Sequence, residues 1–413
     1  MDINAKNKYE FITIPVWIDW GKTRDNKTLK KQVMAIGLRD KNTGVHIIHP
    51  ISSFILAWRW RGREFNTKRK HATNIVKFLN YLLQNNNIKS LTELDIATGN
   101  DYLNSLTNDH RKRETIIDIS RTLTYFYVWL NSNECLPNVS TNYLNSKKKN
   151  NPHNGFTYYE SVFNPILPQR TRSNTKHLFP VKYIPLLLEF CILFAHPIAL
   201  GLYLQIFGGL RAGEIVNLKR TQFRKKLNSG DFLLNIKEQQ FRTDIKDSSG
   251  ANYVKKVRKQ QILQIKDWGS ILFKDHVELY KDKDVEGTGA LFINRNGKPM
   301  TGKSYSQYFY KVKDKFINFL IDYGTIEDKV IAFDLRLADW GTHIGRGTFT
   351  NLIAEEIENP AELMFLRGDS HLLSSLPYLA KTERVRKKVE TRVNHMHTDY
   401  IPRLINRLNE MEK

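Results

Sequence analysis

The sequence predicts a mainly α-helical protein with a small β-sheet content (α+β), two helix-rich domains following a β-rich N-terminal extension. Three observations carry this. The first 50 residues break into short β-prone segments, FITIPVWIDW, KQVMAIGL and GVHIIHP, separated by polar and Gly-containing turns. From about Ser53 the apolar residues recur at helical spacing. After a Lys-, Asn- and Pro-rich stretch, a second helix-rich region begins near Leu178, interrupted by one candidate hairpin.

Taken in order, Ile75, Phe78, Leu79 and Leu82 form one apolar stripe at offsets of three, four and seven residues. A second stripe runs through Ile116, Ile119, Leu123, Phe126 and Leu130, and LTELDIATGNDYLNSL between them supplies a Thr or Asp N-cap for a shorter helix. Residues 146–177 have linker composition, which sets the expected boundaries at 1–52, 53–145, 146–177 and 178–413. The segment YIPLLLEFCILFAHPIALGLYLQIFGGL predicts two buried helices broken near Pro197. Next, DFLLNIKEQQFRTDIKDSSGANYVKKVRKQQILQI reads as a hairpin with its turn at Asp247-Ser248-Ser249-Gly250. No internal repeat at a fixed period is visible.

The 413 residues contain 64 Lys and Arg against 42 Asp and Glu, a formal charge of +22, and 41% hydrophobic residues. That hydrophobic share is enough for packed cores, and the charge favours a polyanionic partner through counterion release. Nucleic acid is therefore the first expectation. An anionic membrane surface is the rival, but no uninterrupted apolar run of about 18 residues is seen, and the polar start MDINAKNKYEF does not read as a signal peptide. A cytoplasmic setting is expected. Cys135 and Cys191 stand far apart without partners at metal-ligand spacing, and His395 and His397 have no further ligands nearby, so no metal site is expected. Trp58, Arg59, Trp60, Arg61 and Arg63, then Lys68, Arg69 and Lys70, and Arg111, Lys112 and Arg113 suggest a phosphate-contacting face on the first helical domain, although such runs are commonly solvated helix surfaces.

Three stretches carry the chemistry: GLRAGEIVNL at 209–218, HIGRGTF at 343–349 and LRGDSHLLSSLPYL at 366–379. Cleaving a phosphodiester needs an in-line nucleophile, neutralisation of two non-bridging oxygens and a proton for the leaving alkoxide. Arginine suits the second task because its fork gives two parallel hydrogen bonds and stays charged, which singles out Arg211 and Arg346. A tyrosine serves as nucleophile by forming a covalent phosphotyrosine that preserves the bond for rejoining. Nothing in isolation selects one of the chain's 18 tyrosines.

The ordered set does select one, because it resembles the motifs of the tyrosine recombinase, or phage integrase, family. Gly209, Leu210, Arg211, Gly213 and Glu214 match its first motif, and His343, Arg346, Thr348 and Phe349 its second. The third is matched by Gly368 and by Tyr378, nine residues beyond position 369. The resemblance implies a helical core-binding domain at 53–145 and a catalytic domain at 178–413, forming a C-shaped clamp on double-stranded DNA. It implies that Arg211 and Arg346 bind the scissile phosphate, that His343 positions or neutralises it, that Glu214 buttresses the Arg211 helix, and that Tyr378 attacks to leave a 3′-phosphotyrosine and a free 5′-hydroxyl. The family's general-acid lysine lies in a hairpin between the first two motifs; Lys246 is the first choice and Lys256 the alternative.

Further implications are a homotetramer acting on two DNA sites, an accessory directionality factor, no metal or nucleotide cofactor, and a mobile-element, phage or prokaryotic nucleoid context for integration, excision or transposition. Residues 1–52 match no named pattern; an arm binding accessory DNA and an element packed on the clamp are the two readings. The apolar stripe Val385, Val389, Val393, Leu404 and Leu408 is expected to dock on a neighbouring subunit, the alternative being its own domain. One position departs from the family: Asp369 stands where His or Trp is usual, with His371 two residues on as a substitute donor. That departure motivates a second reading, a catalytically impaired DNA-binding protein on the same fold. A type IB topoisomerase-like relaxer is a third.

Overall fold

The computed structural model describes residues 8–22, 26, 28–60, 62–84, 90–150, 157–170, 175–224, 230–354, 366, 389–391 and 393. Its architecture is mainly helical with three small sheets, in two compact units: residues 1–173 with 246–250, and residues 174–245 with 251–413.

In the first unit, β1 (Tyr9–Lys22), β2 (Thr28–Asp40) and β3 (His46–Ile48) form an antiparallel sheet in that order, with a register irregularity between Asp19 and Gly21. Met34 and Ile36 lie on one face and Ile14, opposite Ala35, on the other, and all four are buried. Ser52 ties the sheet to α1 (Ser52–Leu56), accepting from Ile36 N at 2.9 Å and donating to Ile36 O at 2.7 Å. Asn80 on α2 (Phe65–Gln84) makes the same two-way bond to the backbone of Phe11, at 2.7 and 2.9 Å. The β-rich N-terminus therefore shares one packed unit with the helices that follow it, because its apolar residues are buried there.

The predicted stripes are core: Ile75, Phe78 and Leu79 on α2 meet Ile116, Leu123 and Phe126 on α4 (Arg113–Ser132), all buried. Between them lies α3 (Ile96–Asn108), capped by Asp95, whose carboxylate accepts from Thr98 N at 2.8 Å.

Two readings need correcting here. Residues 157–170 are not a free linker. After α5 (Thr141–Ser146), β4 (Lys148–Asn150) pairs with β5 (Thr157–Tyr159), and the following extended chain is fastened to α3 and α4 by side chains. Asn100 and Asn104 accept from the Asn164 and Ile166 amides at 2.8 Å each, Thr107 donates to Ile166 O, and Arg113 donates to Pro168 O. The basic and aromatic run is also partly internal. Trp60 is buried and stacks on His71 at 3.7 Å, Lys68 is buried, and Arg59 lies over the Tyr125 ring and donates to Thr157 O.

In the second unit, α6 (Ile184–Ala195) and α7 (Ala199–Gly208) are separated by a turn of 3₁₀-helix at His196–Ile198, as the proline at 197 predicts. Val181–Gly208 has the length and hydropathy to cross a membrane, although Lys182, Glu189 and the break at Pro197 interrupt it. Two thirds of it is buried in this unit's core, and every residue of α7 is buried. The core is completed by β6 (Phe232–Ile236), β7 (Arg258–Ile262), α9 (Trp268–Tyr280), α10 (Gly302–Tyr323), α11 (Ile326–Leu337) and α12 (His343–Ala354), with α8 (Ala212–Ile215) directly after α7.

The predicted hairpin exists only at its base. Strands β6 and β7 pair antiparallel from Phe232↔Ile262 to Ile236↔Arg258, and residues 237–257 form no ladder. Side chains organise that excursion instead: Asn217 accepts from Gln239 N at 2.9 Å and donates to Asn252 O at 2.7 Å. The Asp247–Gly250 turn is an Asx-type turn within the excursion, Asp247 Oδ1 accepting from the Ser249 and Gly250 amides.

Two desolvated histidines, one half-buried and one buried, make stability depend on acidity. Desolvation pushes His71 down to about 4, with the nearby Lys70 charge acting the same way, and desolvation pushes His276 down to about 4 despite its bond to Leu291 O. In the unfolded chain each would titrate near the usual 6.5. The stability they contribute is complete above that value and is lost as pH falls toward 4, about 2 kcal/mol per histidine by pH 5. Urea midpoints are expected to fall in both units between pH 7 and pH 5, and unchanged midpoints would contradict the assignment.

Candidate functional site

The site is built where α7 ends. Gly209 takes φ +65 in the left-handed region as the helix cap, and a Cβ there would also meet the Phe349 ring at 2.5 Å, so only glycine suits the turn. That turn delivers Arg211 to the N-terminus of α8, where its backbone N–H donates to Glu214 Oε2 at 2.9 Å and its guanidinium to Glu214 Oε1 at 2.9 Å.

Glu214 is fully buried and has a second arginine that the sequence analysis did not assign. Arg258, at the start of β7, donates to both carboxylate oxygens, at 2.6 and 2.9 Å, and its Nε donates to Gln260 Oε1 at 2.9 Å. Burial acts to raise the carboxyl pKa, but the hydrogen bonds and charge of Arg258, joined by those of Arg211, outweigh it and hold Glu214 below the usual carboxylate range. A signal for Arg258 was present: an acid flanked by apolar residues in GEIV must be buried with cations, and Arg211 at i−3 satisfies only part of its capacity.

Helix α12 brings the second motif alongside. Arg346 is buried and its Nη1 donates to the carbonyl of Gly209, so the two arginine-bearing motifs are joined at one turn. Gly345 permits the approach: a Cβ there would lie 2.6 Å from Cβ of Gln205 on α7. Gln205 in turn donates to Thr342 O at 2.9 Å and accepts from Tyr305 Oη at 3.0 Å, fixing the entry to α12. Thr348 accepts from Phe179 N at 2.9 Å, so the motif's threonine is a packing bond rather than a ligand.

His343, at the exposed first position of α12, has its pKa lowered, first by desolvation and then by the charges of Arg211 and Arg346; Glu214 acts the other way and His177 adds to the lowering. Arg211, Arg346 and His343 are thus electrostatic neighbours, and among the described residues the guanidiniums of Arg211, Arg258 and Arg346 stand against the Glu214 carboxylate. Arg211 keeps a quarter of its side-chain surface in contact with solvent. Such a cluster can take an anionic oxygen, and its hydrogen-bond donors are held in place beforehand.

The remaining predicted residues stand differently. Lys256 is exposed in the segment before β7, where its carbonyl accepts from Arg258 Nη1 at 3.4 Å, and Lys246 is exposed in the segment grouped with the first unit. Tyr378, Asp369, His371, Arg61, His395 and His397 lie outside the described residues, as do Val385, Leu404 and Leu408. Val389 and Val393 are buried in the core of their own unit, and Glu390 accepts from Lys266 N at 3.0 Å.

No family model matches the chain, and no curated protein matches it in sequence. Solved structures do match. The chain is similar to the Tn1549 transposon integrase (residues 82–397) in complex with circular intermediate DNA, at 17% identity and a TM-score of 0.51, over 79% of this chain and 94% of that one. It also matches lambda integrase (residues 75–356) bound to DNA, at 13% identity and a TM-score of 0.46, over 82% and 97%. The first of these likenesses shows the fold, mainly α with small β-sheets, to be one shared with the Tn1549 integrase.

Proposed function

We propose that the chain is a site-specific tyrosine recombinase, a DNA strand-transferring enzyme that cuts and rejoins double-stranded DNA through a 3′-phosphotyrosine. The observation that carries this is the union of Arg211 and Arg346 at the Gly209 turn, braced from behind by Glu214 and Arg258 and flanked by His343. In this reading the two guanidiniums hold the non-bridging oxygens of one phosphodiester. The Tyr378 oxygen attacks phosphorus, the bond from phosphorus to the 5′ oxygen breaks, and a lysine, Lys246 or Lys256, supplies the proton to the departing oxygen. Rejoining reverses these steps with a new 5′-hydroxyl. His343, whose pKa is lowered first by desolvation and then by the charges of Arg211 and Arg346, is suited to take the phenol proton. The reaction needs neither metal nor nucleotide.

The net charge of +22 supports DNA as the partner, and the similar Tn1549 and lambda integrase structures are themselves complexes with DNA. A homotetramer on two sites, a nucleoid setting in a mobile-element context and an accessory factor follow from the same reading. The test is a nicked suicide duplex carrying candidate element ends. A recombinase accumulates a denaturant-resistant protein–DNA adduct, and specific binding without any adduct would instead favour a non-enzymatic DNA-binding protein. Relaxation of any supercoiled plasmid by a monomer would favour the topoisomerase-like reading.

A further inference from the structure

Helix α11 carries two apolar faces where one is expected. Its inner face is anchored by Ala332 and Leu335, both fully buried. Its outer face presents Ile326, Val330, Phe333 and Leu337, which are 85%, 63%, 51% and 77% exposed. Their spacing of four, three and four residues aligns them in one stripe. Single exposed apolar residues are ordinary, but an aligned row of four is a contact surface. The helix is held firmly: Thr325 and Asp328 form a capping box, the Tyr183 hydroxyl donates to Asp328, and Trp340 Nε1 donates to Leu335 O at 2.7 Å.

The charges beside the stripe specify the occupant. At 100° per residue, Glu327 and Asp334 fall along one edge and Lys329 and Arg336 along the other. In the language of paired helices the stripe occupies alternating d and a positions, with an acidic e edge and a basic g edge. A DNA backbone would meet the acidic edge unfavourably. An antiparallel copy would set acid against acid and base against base. A parallel copy sets each basic edge against the other's acidic edge, with Lys329 opposite the partner's Asp334 on both sides of the twofold. Asp334 also meets Lys176 of its own chain and keeps 62% of its side chain exposed.

We propose that the outer face of α11 is a self-association surface, pairing with α11 of a second copy of this chain in parallel about a twofold axis, without DNA. This goes beyond the catalytic reading and does not depend on it.

Sedimentation of the full chain without DNA tests it. Wild-type protein is expected to show a concentration-dependent dimer. Lys329→Asp and Asp334→Lys, each of which places like charges across the interface twice, are expected to weaken the dimer at least about tenfold. Mixing the two variants restores opposite charges at both contacts and is expected to restore the dimer. Val330→Glu is expected to remain monomeric with an unchanged circular dichroism spectrum. A monomeric wild type, single variants that dimerise like wild type, or a mixture that fails to recover would each overturn the proposal; the first would leave a segment of the chain's own as the cover for this face.

Discussion

Arg346→Ala and Arg211→Ala are each expected to slow covalent adduct formation on a nicked duplex by about 10²–10³-fold, the usual consequence of deleting one preorganised donor to a developing oxyanion, roughly 2.7–4 kcal/mol of barrier. The two should differ in side effects. Arg346 is buried and also donates to Gly209 O, so its loss removes a bond between the two motifs; Arg211 is partly open and its loss leaves Glu214 still paired with Arg258. Arg211→Lys keeps the charge but gives up the planar fork that serves Glu214 and a ligand oxygen together, so it should recover only part of the rate. Single-turnover adduct formation measures all three. Rates within about threefold of wild type for either alanine variant would remove that residue from the proposed phosphate site.

The second large effect is on stability. Glu214→Ala is expected to destabilise the second unit by about 3–5 kcal/mol, because it leaves the buried Arg258 guanidinium and the Arg211 backbone amide without their shared acceptor. Glu214→Gln should cost less, since an amide oxygen can still accept from one arginine. Arg258→Met, which leaves Glu214 with Arg211 alone, should slow adduct formation while perturbing DNA binding little, as Arg258 is proposed to act through the position of Arg211. Urea unfolding followed in the second unit reports the first two variants, and a Glu214→Ala midpoint equal to wild type would show that the carboxylate does not hold this site together.

Much of this architecture was legible in local pattern. The stripes on α2 and α4, the cap at Asp95 and the break at Pro197 follow from periodicity and from groups a helix must satisfy within a few residues. Gly209, Arg211, His343 and Arg346 were legible through their resemblance to motifs of the tyrosine recombinase family, and the fold packs the turn bearing the first two against the helix bearing the others. The rest depends on partners distant in sequence. Arg258 is 44 residues from Glu214; the apolar flanks of Glu214 signal that it needs a further cation, but nothing nearby says which. The 237–257 excursion is organised by Asn217 and Asn252, so a strand-rich composition yields only one five-residue strand at each end, paired in a single ladder. The polar segment 157–170 looked like a linker because its backbone is satisfied by asparagines on α3 rather than by its own periodicity. Lys68 and Trp60 lay within a run that resembled a basic surface, and burial against the sheet and His71 is a tertiary fact.

The most direct measurement is identification, by mass spectrometry, of the residue that carries the DNA after trapping on a nicked suicide duplex. The account predicts a phosphotyrosine at Tyr378 through a 3′-phosphate, with Tyr378→Phe binding the same duplex and yielding no adduct. DNA attached to another residue, or a normal adduct from the Phe variant, would contradict it.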